Sequence, residues 1–504
     1  MILGGCATLP TGFERTESYA IAPSTDSIVD AQAQRKIDAY AGKSGYYLLD
    51  DGLDAFVARA ILAERAVHSI DAQYYLFHND LTGALFTDLL LKAAERGVRV
   101  RLLIDDIAAD GLDQMAALLD NHRNVEVRTF NPFSRSAPRA TQYVTGFGAV
   151  TRRMHNKTFT VDNQVSIVGG RNIGNEYFDA THDLVFSDLD VMVVGPLVPE
   201  ISRSFDLYWN HELAYPVSVL NRNPVTEESI AAGRGKLFDR VSGDRSSDYL
   251  EALRESDLAR RIRSNNVEMI WGNARVIYDH PEKILADQDE EIYHLAPDLR
   301  EYFRKVKDEL IIISPYFVPG KPGAALLEDL EARGVRVRIV TNSLAATDVA
   351  VVHAGYMRYR KRLLRAGVEI HEADKDARAT LRGSSGLRGS SKASLHTKSF
   401  IFDRKHVFIG SLNLDPRSIR ENTEIGLILD STDAAREMID WFERYTQNAA
   451  FKLSLVKDER GYDQLRWDRL VDGVPKTWKT EPHASFWLRA VIGLMRWLPI
   501  ESQL

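Results

Sequence analysis

The sequence Met154-His-Asn-Lys-Thr-Phe-Thr-Val-Asp162 recurs in the second half of the chain as Leu395-His-Thr-Lys-Ser-Phe-Ile-Phe-Asp403. Both stretches follow the pattern His-x-Lys-x-x-x-x-Asp, with a Gly 14 residues and an Asn 17 residues after the His. Histidine is scarce, at 13 of 504 residues, so a second match at the same five offsets is difficult to attribute to chance. The pair indicates one active site built from two halves, each of which contributes an imidazole.

The sequence ahead of each motif is duplicated as well. A segment with a strand pattern, which begins at Ile70 or Leu310, is followed by a helical pattern and then by Arg-Gly-Val-Arg-Val-Arg, at 96–101 and 333–338. Each half therefore predicts strand, helix, strand and then the motif strand, which is the βαβ plan of a largely parallel sheet covered by helices. We predict an α/β fold with two copies of this plan, related by an internal pseudo-twofold axis.

The spacing within the motif separates its residues by role. The His and Lys of each copy are two residues apart, so on a strand their side chains point to the same side. The motif Asp has the opposite parity and lies roughly 20 Å away along an extended chain. Asp162 and Asp403 complete the catalytic motif, but we expect them to stabilise the fold away from the substrate. Gly170 and Ser411 are small residues that let the backbone approach a ligand closely.

Composition narrows the class of function. With 44% hydrophobic and 27% charged residues the chain is typical of a folded globular protein. A formal net charge of -7 argues against a general nucleic-acid binder, so no nucleic-acid partner is expected. No run of eighteen apolar residues predicts a transmembrane helix. The sequence also lacks a Gly-rich phosphate loop, a His-Glu-x-x-His motif and a Gly-x-Ser-x-Gly elbow.

The start of the chain contains its single cysteine, which excludes an intramolecular disulfide and a Cys-based zinc site. The sequence Leu3-Gly-Gly-Cys6 resembles the lipobox of bacterial lipoproteins, but only Met1 and Ile2 precede it. Cys6 is therefore either an acylation site in a truncated lipobox or part of an accidental match.

The end of the chain carries an apolar segment flanked by Trp487 and Trp497, in which Arg489 and Arg496 share one helical face. The segment is too short to cross a bilayer. It is interpreted either as a helix that lies in the membrane interface or as a terminal helix docked on the protein's own core.

Five regions follow from these patterns. They are an N-terminal tail (1–44), a first lobe (45–215), a connector (216–295), a second lobe (296–450) and a C-terminal region (451–504). Two long loops precede the histidines, at 131–154 and 374–395, and are either lids over the site or ordinary solvated loops.

Two imidazoles and two ammonium groups that converge on one point suit a phosphodiester. Lys157 and Lys398, with help from Asn172 and Asn413, would neutralise and orient the non-bridging oxygens. One His would attack phosphorus to give a phospho-histidine, and the other would protonate the leaving alcohol and later activate the incoming water or alcohol. Because the protein supplies the positive charge, neither a metal nor another cofactor is predicted.

The duplicated motif resembles the signature of the phospholipase D superfamily. This resemblance implies two α/β/α sandwich lobes with the histidines meeting at their interface. It also implies that His155 is the nucleophile and His396 the acid/base. Acidic residues further along are expected to orient them, and the best matches are Asp190 in Phe186-Ser-Asp-Leu-Asp190 and Glu424 in Asn422-Thr-Glu424.

Further segments resemble bacterial cardiolipin synthases of the C type, from about Leu49 to the Leu-Pro-Ile-Glu sequence near the end. Among them are Val168-Gly-Gly-Arg-Asn-Ile-Gly174, Asp348-Val-Ala-Val-Val-His-Ala-Gly-Tyr356 and Asp415-Pro-Arg-Ser418. The resemblance implies transfer of a phosphatidyl group from phosphatidylglycerol or phosphatidylethanolamine to phosphatidylglycerol. The expected partners are phospholipid substrates and a bacterial membrane surface, to which the protein attaches peripherally or through a lipid anchor. A helper protein is left open as a further partner.

Three alternatives remain open. A phospholipase D-type phosphodiesterase would use the same motif with water as the acceptor, because that choice depends on how the site excludes water. A nuclease would do so on a nucleic acid, and the negative net charge counts against it. A non-catalytic lipid-binding lipoprotein would keep the fold alone, and two intact motifs argue against it.

Overall fold

The computed structural model describes residues 9–24, 28–29, 31–107, 112–136, 142, 150–181, 184–221, 226–264, 266–376, 392–471 and 473–495. Cys6, Arg496 and Trp497 lie outside this part of the chain, as do parts of the two loops predicted as possible lids. Within it, no helix combines the length and apolar character needed to span a bilayer.

The chain forms two compact units, each assembled from several stretches of sequence. The first comprises Met1–Ala180, Asp190–His294 and Glu421–Ile425, and the second comprises Thr181–Leu189, Leu295–Arg420 and Gly426–Leu504. Almost all of the region predicted as a connector lies in the first unit. Two short segments, Thr181–Leu189 and Glu421–Ile425, are built into the unit formed mainly by the other half of the sequence. We call them the exchanged segments.

Strands and helices alternate along most of the described chain. The strands are β1 (Ser44–Leu49), β2 (Ser69–Tyr74), β3 (Arg99–Asp105), β4 (Val125–Phe130), β5 (Thr158–Val161), β6 (Val165–Gly169), β7 (Leu184–Ser187), β8 (Asp190–Val194), β9 (Ala214–Pro216), β10 (Ile270–Tyr278), β11 (Glu309–Ile313), β12 (Arg336–Asn342), β13 (Glu369–Ala373), β14 (Lys392–Leu395), β15 (Ser399–Phe402), β16 (His406–Gly410), β17 (Ile425–Asp430), β18 (Ala450–Lys457), β19 (Asp463–Val471) and β20 (Val474–Trp478).

The helices are α1 (Ala31–Ala39), α2 (Gly52–Arg65), α3 (Leu81–Glu95), α4 (Leu112–Asp120), α5 (Val198–Trp209), α6 (Val217–Leu220), α7 (Glu227–Ser242), α8 (Asp244–Arg254), α9 (Asp257–Arg263), α10 (Ala296–Lys305), α11 (Gly320–Ala332), α12 (Ala350–Met357), α13 (Arg360–Ala366), α14 (Pro416–Arg420), α15 (Thr432–Ala449) and α16 (Phe486–Met495). Short 3-10 helices cover Asn175–Tyr177, Pro281–Ile284 and Glu291–Tyr293.

The sheet of the first unit has the strand order β10-β1-β8-β6-β5-β2-β3-β4-β9. The pairs β2–β3 and β3–β4 are parallel, and α3 joins β2 to β3 as a βαβ unit. Ile70 on β2 lies between Val100 on β3 and Val161 on β5 in this register, and all three are buried. Burial on both faces explains the nearly continuous apolar run of β3.

The sheet of the second unit has the order β17-β16-β15-β11-β12-β13-β18-β19-β20. Its parallel pairs are β11–β12 and β12–β13, and α11 joins β11 to β12. From β17 to β18 this order repeats that from β8 to β9, strand by strand. The predicted duplicated α/β fold is therefore confirmed. A separate parallel pair, β7–β14, lies in the second unit.

Candidate active site

His155 is held by one of the exchanged segments. The residue before it, Met154, forms a parallel bridge with Thr423, and the backbone N–H of His155 donates to Thr423 O at 2.8 Å. The next residue of that segment is Glu424, whose Oε2 lies 2.8 Å from His155 Nδ1. Both side chains are buried. The predicted contact of Glu424 with His155 is therefore present, and a carboxylate at Nδ1 fixes the orientation of the imidazole ring.

His396 is held in the same way by the other exchanged segment. Strand β14 pairs in parallel with β7, so that Leu395 lies opposite Ser187, and the N–H of His396 donates to Ser187 O at 2.8 Å. The residue after Ser187 is Asp188, and its Oδ2 lies 2.5 Å from His396 Nδ1. The second imidazole thus also has its Nδ1 engaged by a buried carboxylate.

The carboxylate at His396 is Asp188, and the expectation that Asp190 orients a histidine is wrong. Asp190 lies in the first unit, where Oδ2 accepts from Arg59 Nη2 at 2.9 Å and lies 3.5 Å from Arg171 Nη1. The two aspartates are separated by one residue, but β7 ends at Ser187 and β8 begins at Asp190. Asp188 therefore lies in the connection between the two strands and Asp190 on β8, and the two carboxylates have different partners.

The two motif lysines are buried beside their histidines. Lys157 Nζ donates to the carbonyl of His155 at 2.6 Å and lies 5.2 Å from the ring centroid of Tyr75. Lys398 Nζ donates to the carbonyl of His396 and lies 2.9 Å from its Nδ1. The His and Lys of the second copy therefore share one side of the chain, as their spacing predicted.

The charge state of His396 is set by burial and by Lys398. Burial lowers the pKa of His396 from its ordinary value, the cationic Lys398 lowers it further, and Asp188 opposes both. A lowered pKa favours the neutral imidazole at neutral pH, which is the form that accepts a proton or attacks phosphorus.

The predicted phosphate-binding residues differ between the two copies. Asn172 is bonded to the protein through both atoms of its amide, because Oδ1 accepts from Leu76 N at 3.0 Å and Nδ2 donates to Tyr177 OH at 2.9 Å. Asn413 donates to Ser418 Oγ at 3.5 Å, and its buried Oδ1 has no hydrogen-bond partner among the described residues. The neighbouring residues Gly170 and Ser411 are buried, and their close approach to a ligand stays a prediction. A phosphate contact through Asn172 or Asn413 stays a prediction.

The motif aspartates bond the backbone at the start of the central strands. Asp162 accepts hydrogen bonds from the N–H groups of residues 67–69 at 2.7–3.0 Å, and Asp403 accepts from those of residues 307–309 at 2.8–3.1 Å. These contacts lock the entry to β2 and β11. The inclusion of Asp162 and Asp403 among the catalytic residues is therefore corrected. Both carboxylates are bonded to backbone N–H groups of the fold, as their parity predicted.

Sequence reasoning did not single out three side chains at the histidines. Besides Asp188, they are Tyr75, whose ring centroid lies 4.8 Å from that of His155 at 73°, and Phe186, 4.8 Å from that of His396 at 32°. Phe186 and Asp188 lie in the same sequence segment as Asp190, so the sequence indicates the segment but not which of its carboxylates contacts His396.

Comparisons with known proteins agree with this geometry. The family described as "Cardiolipin synthase, PLD-like domain" matches residues 61–209 and 299–446, one match in each half of the chain. The chain belongs to this phospholipase D-like family of cardiolipin synthases. The predicted superfamily is therefore confirmed.

Relatives extend the likeness of this cardiolipin synthase family member to nearly its whole length. Cardiolipin synthase C of Escherichia coli (strain K12) is 41% identical over 475 residues, covering 92% of this chain and 96% of the relative. An uncharacterized protein of Helicobacter pylori is 32% identical over 481 residues, covering 95% and 93%. The crystal structure of phosphatidylserine synthase from Haemophilus influenzae Rd KW20 matches with a TM-score of 0.56 at 14% identity, covering 92% of this chain and 96% of that one, and so shares the fold.

Proposed function

We propose that this protein is a cardiolipin synthase that transfers a phosphatidyl group to phosphatidylglycerol through a phospho-histidine. The observation that carries the proposal is the duplicated imidazole–carboxylate pair. Glu424 at His155 and Asp188 at His396 each contact Nδ1, and in the proposed reaction Nε2 of each imidazole is the nitrogen that reacts. The same arrangement in both units supplies the two groups that a double displacement at phosphorus requires.

The first half-reaction consumes the donor lipid, which is phosphatidylglycerol or phosphatidylethanolamine. A bond forms between His155 Nε2 and phosphorus, while the bond from phosphorus to the glycerol or ethanolamine oxygen breaks. Protonated His396 gives its proton to that oxygen and becomes neutral. Lys157 and Lys398 offset the negative charge that grows on the non-bridging oxygens.

The second half-reaction uses the neutral His396 as a base. It removes the proton from a glycerol hydroxyl of phosphatidylglycerol, whose oxygen bonds phosphorus as the bond between nitrogen and phosphorus breaks. The lowered pKa of His396 favours this step. Donor cleavage needs the protonated form, so that step is expected to slow as pH rises through the pKa of His396.

The test is to identify the lipid products of purified protein by mass spectrometry. Vesicles of phosphatidylglycerol are supplied with and without phosphatidylethanolamine. Cardiolipin with released glycerol supports a phosphatidylglycerol donor, and cardiolipin with released ethanolamine supports the other donor. Phosphatidic acid without cardiolipin contradicts the proposal and indicates hydrolysis. His122→Ala changes a half-buried histidine after α4 and is the matched control for His155→Ala and His396→Ala, because it removes an imidazole elsewhere in the chain.

We also propose that α16 attaches the protein to the bilayer surface. One face of this helix packs on the second unit, where Leu488, Ile492 and Met495 lie in a cluster with Leu344 and Ala354. The opposite face exposes four large apolar side chains, namely Phe486 (67% exposed), Trp487 (76%), Val491 (52%) and Leu494 (72%). A helix that docks through one face and exposes large apolar side chains on the other is suited to place its exposed face in a lipid interface.

The segment that leads into α16 is fixed to the second unit. Glu481 is buried and accepts from Arg360, whose other terminal nitrogen donates to Glu372 at 2.8 Å.

Arg489 is the sole ionisable residue in the sequence from Ser485 to Met495, and its positive charge complements anionic lipid such as phosphatidylglycerol. Acylation of Cys6 is the second proposed anchor, since stable attachment usually takes two signals.

Vesicle flotation tests the role of α16. Trp487→Ser with Leu494→Ser should lower the bound fraction about tenfold on phosphatidylglycerol vesicles, because two large apolar groups no longer leave water. Ile292→Ser is the matched control, since Ile292 is 83% exposed in the first unit and should bind vesicles normally once changed. Equal binding by the α16 variant and the control would reject this attachment.

A further inference from the structure

The two copies of Arg-Gly-Val-Arg-Val-Arg align Asp105 with Asn342. Asp105 is the last residue of β3 and Asn342 is the last residue of β12, and these are equivalent strands of the two sheets. Both side chains are buried. Neither residue belongs to the His-x-Lys-x-x-x-x-Asp motif, yet both contact the chain that leads into it.

In the first unit, Asp105 binds the residue before the histidine. Its Oδ2 accepts from the backbone N–H of Met154 at 2.9 Å, and its Oδ1 accepts from Arg153 Nε at 2.8 Å. Arg153 in turn donates to the carbonyls of Asn131 and Val150 at 3.0 and 2.9 Å. One carboxylate therefore holds both residues that precede His155.

In the second unit, Asn342 makes the equivalent contact without a charge. Its Oδ1 accepts from the backbone N–H of Leu395 at 2.9 Å, and its Nδ2 donates to the carbonyl of Leu395 at 2.9 Å. The position of Arg153 is taken by Ser394, whose Oγ lies 3.4 Å from Asn342 Oδ1. The same backbone group is held in both units, by different chemistry.

We propose that Asp105 and Asn342 are positioning residues, which set the placement of His155 and His396 by holding the backbone of the residue immediately before each. The proposal rests on the proposed function, in which these histidines react. The exchanged segments hold the N–H of each histidine, through Thr423 O and Ser187 O, while Asp105 and Asn342 hold the N–H of the preceding residue from the end of a central strand. A displacement of about 1 Å at a reacting group can lower a rate by about 10²-fold, so loss of either anchor should reach the chemistry.

The difference in charge adds a pH dependence to the first unit. Burial raises the pKa of Asp105 to about 6, with Arg153 opposing that rise and Asp106 adding to it. Arg135 pairs with Asp106 on its other side. A carboxylate accepts the Met154 N–H more strongly than the protonated acid does, so positioning by Asp105 weakens as pH falls below about 6. Asn342 undergoes no such change.

The experiment compares Asp105→Ala and Asn342→Ala in the full-length protein, on phosphatidylglycerol vesicles and on the chromogenic diester bis(p-nitrophenyl) phosphate. For folded protein we expect kcat to fall about 10-fold to 100-fold while KM stays within about twofold. Asp105→Asn keeps an acceptor for Met154 N and should recover most of the rate. Asp71→Asn is the matched control, since it breaks a buried ion pair with Arg101 away from the histidines.

The pH profile separates positioning from a merely structural role. The ratio of kcat for the unaltered protein to kcat for Asp105→Asn should decline as pH falls through about 6, and the corresponding ratio for Asp71→Asn should not. Alanine variants whose kcat per folded molecule matches that of Asp71→Asn would overturn the proposal, as would losses confined to KM. Inactivity of the unaltered protein on both substrates would instead reject the proposed function.

Discussion

Each of the two units holds its motif histidine by the same backbone contact but with different side chains. In each, the N–H of the histidine donates at 2.8 Å to an exchanged segment, and the next residue of that segment engages Nδ1. That residue is Glu424 in the first unit and Asp188 in the second. The anchor on the central strand is Asp105 in the first and Asn342 in the second. Backbone placement is thus repeated while the charges around each imidazole are not.

In both units the duplicated motif is incomplete by itself. Each histidine obtains its carboxylate from a segment that lies far away in the sequence, 269 residues for His155 and 208 for His396. Neither half of the sequence contains both its motif histidine and the carboxylate that contacts it. Formation of each histidine–carboxylate pair therefore depends on folding of the whole chain.

The largest expected effect comes from removing either histidine. His155→Ala and His396→Ala should each lower phosphatidyl transfer by at least about 10³-fold, because covalent attack or proton transfer is lost. Both variants should still fold, and a thermal unfolding transition close to that of the unaltered protein checks this. Turnover close to that of the unaltered protein in either variant would contradict the assignment.

The carboxylates are expected to have the next largest effect. Asp188→Asn and Glu424→Gln keep the shape but cannot hold Nδ1–H in the same way, so kcat should fall about 10²-fold or more. Asp190→Asn is the control that distinguishes the two neighbouring aspartates. It leaves Arg59 buried without its carboxylate and should lower stability by about 3 kcal/mol while the folded enzyme retains kcat. The opposite pattern would restore the prediction made from sequence.

The motif aspartates should separate stability from activity. Asp162→Asn and Asp403→Asn weaken three backbone contacts each, and we expect losses of about 1–3 kcal/mol in the free energy of unfolding. Denaturant unfolding measures the loss, and kcat per folded molecule should stay within about threefold of the unaltered value. A loss of kcat without a loss of stability would place these carboxylates back at the substrate.

A smaller effect is expected on the titration of His396. Its pKa should lie below the ordinary value of 6.5 in the unaltered protein and should rise in Lys398→Gln, because a neighbouring positive charge is removed. Histidine NMR titration measures both values. A folded-state pKa below the unfolded one means that this group contributes stability above the unfolded pKa, which is lost as pH falls through the folded one. A pKa in Lys398→Gln at or below that of the unaltered protein would be inconsistent with this account.

Chelation should have the smallest effect. The reaction proposed here draws its positive charge from Lys157 and Lys398, so activity should stay the same within error after treatment with EDTA. Strong inhibition that a divalent ion reverses would contradict the metal-free mechanism.

The sequence predicted the two βαβ halves and the histidines because both depend on local pattern. The alternation after His155 and the strand patterns of β2 and β3 are short-range signals, and so is the parity that assigned Asp162 to the fold. The partner of His396 could not be obtained in that way. Phe186-Ser-Asp-Leu-Asp190 offers two carboxylates, and the choice depends on the register that sets Ser187 opposite Leu395, a pairing across 208 residues.

The role of the strand-end residues was also outside what the sequence alone indicated. The repeated hexapeptide did align Asp105 with Asn342, but a polar residue at the end of a buried strand is compatible with many partners. Their contact with the residues before the histidines appears only when β3, β12 and the motif chain are brought together in space.

The most direct test of the division of roles is a burst experiment with phosphatidyl-p-nitrophenol, whose leaving group needs no proton. His396→Ala should release one equivalent of p-nitrophenolate rapidly and then stall, with a phosphatidyl adduct on His155 found by mass spectrometry. His155→Ala should give no burst. A burst from His155→Ala with the adduct on His396 would contradict the account by exchanging the two roles.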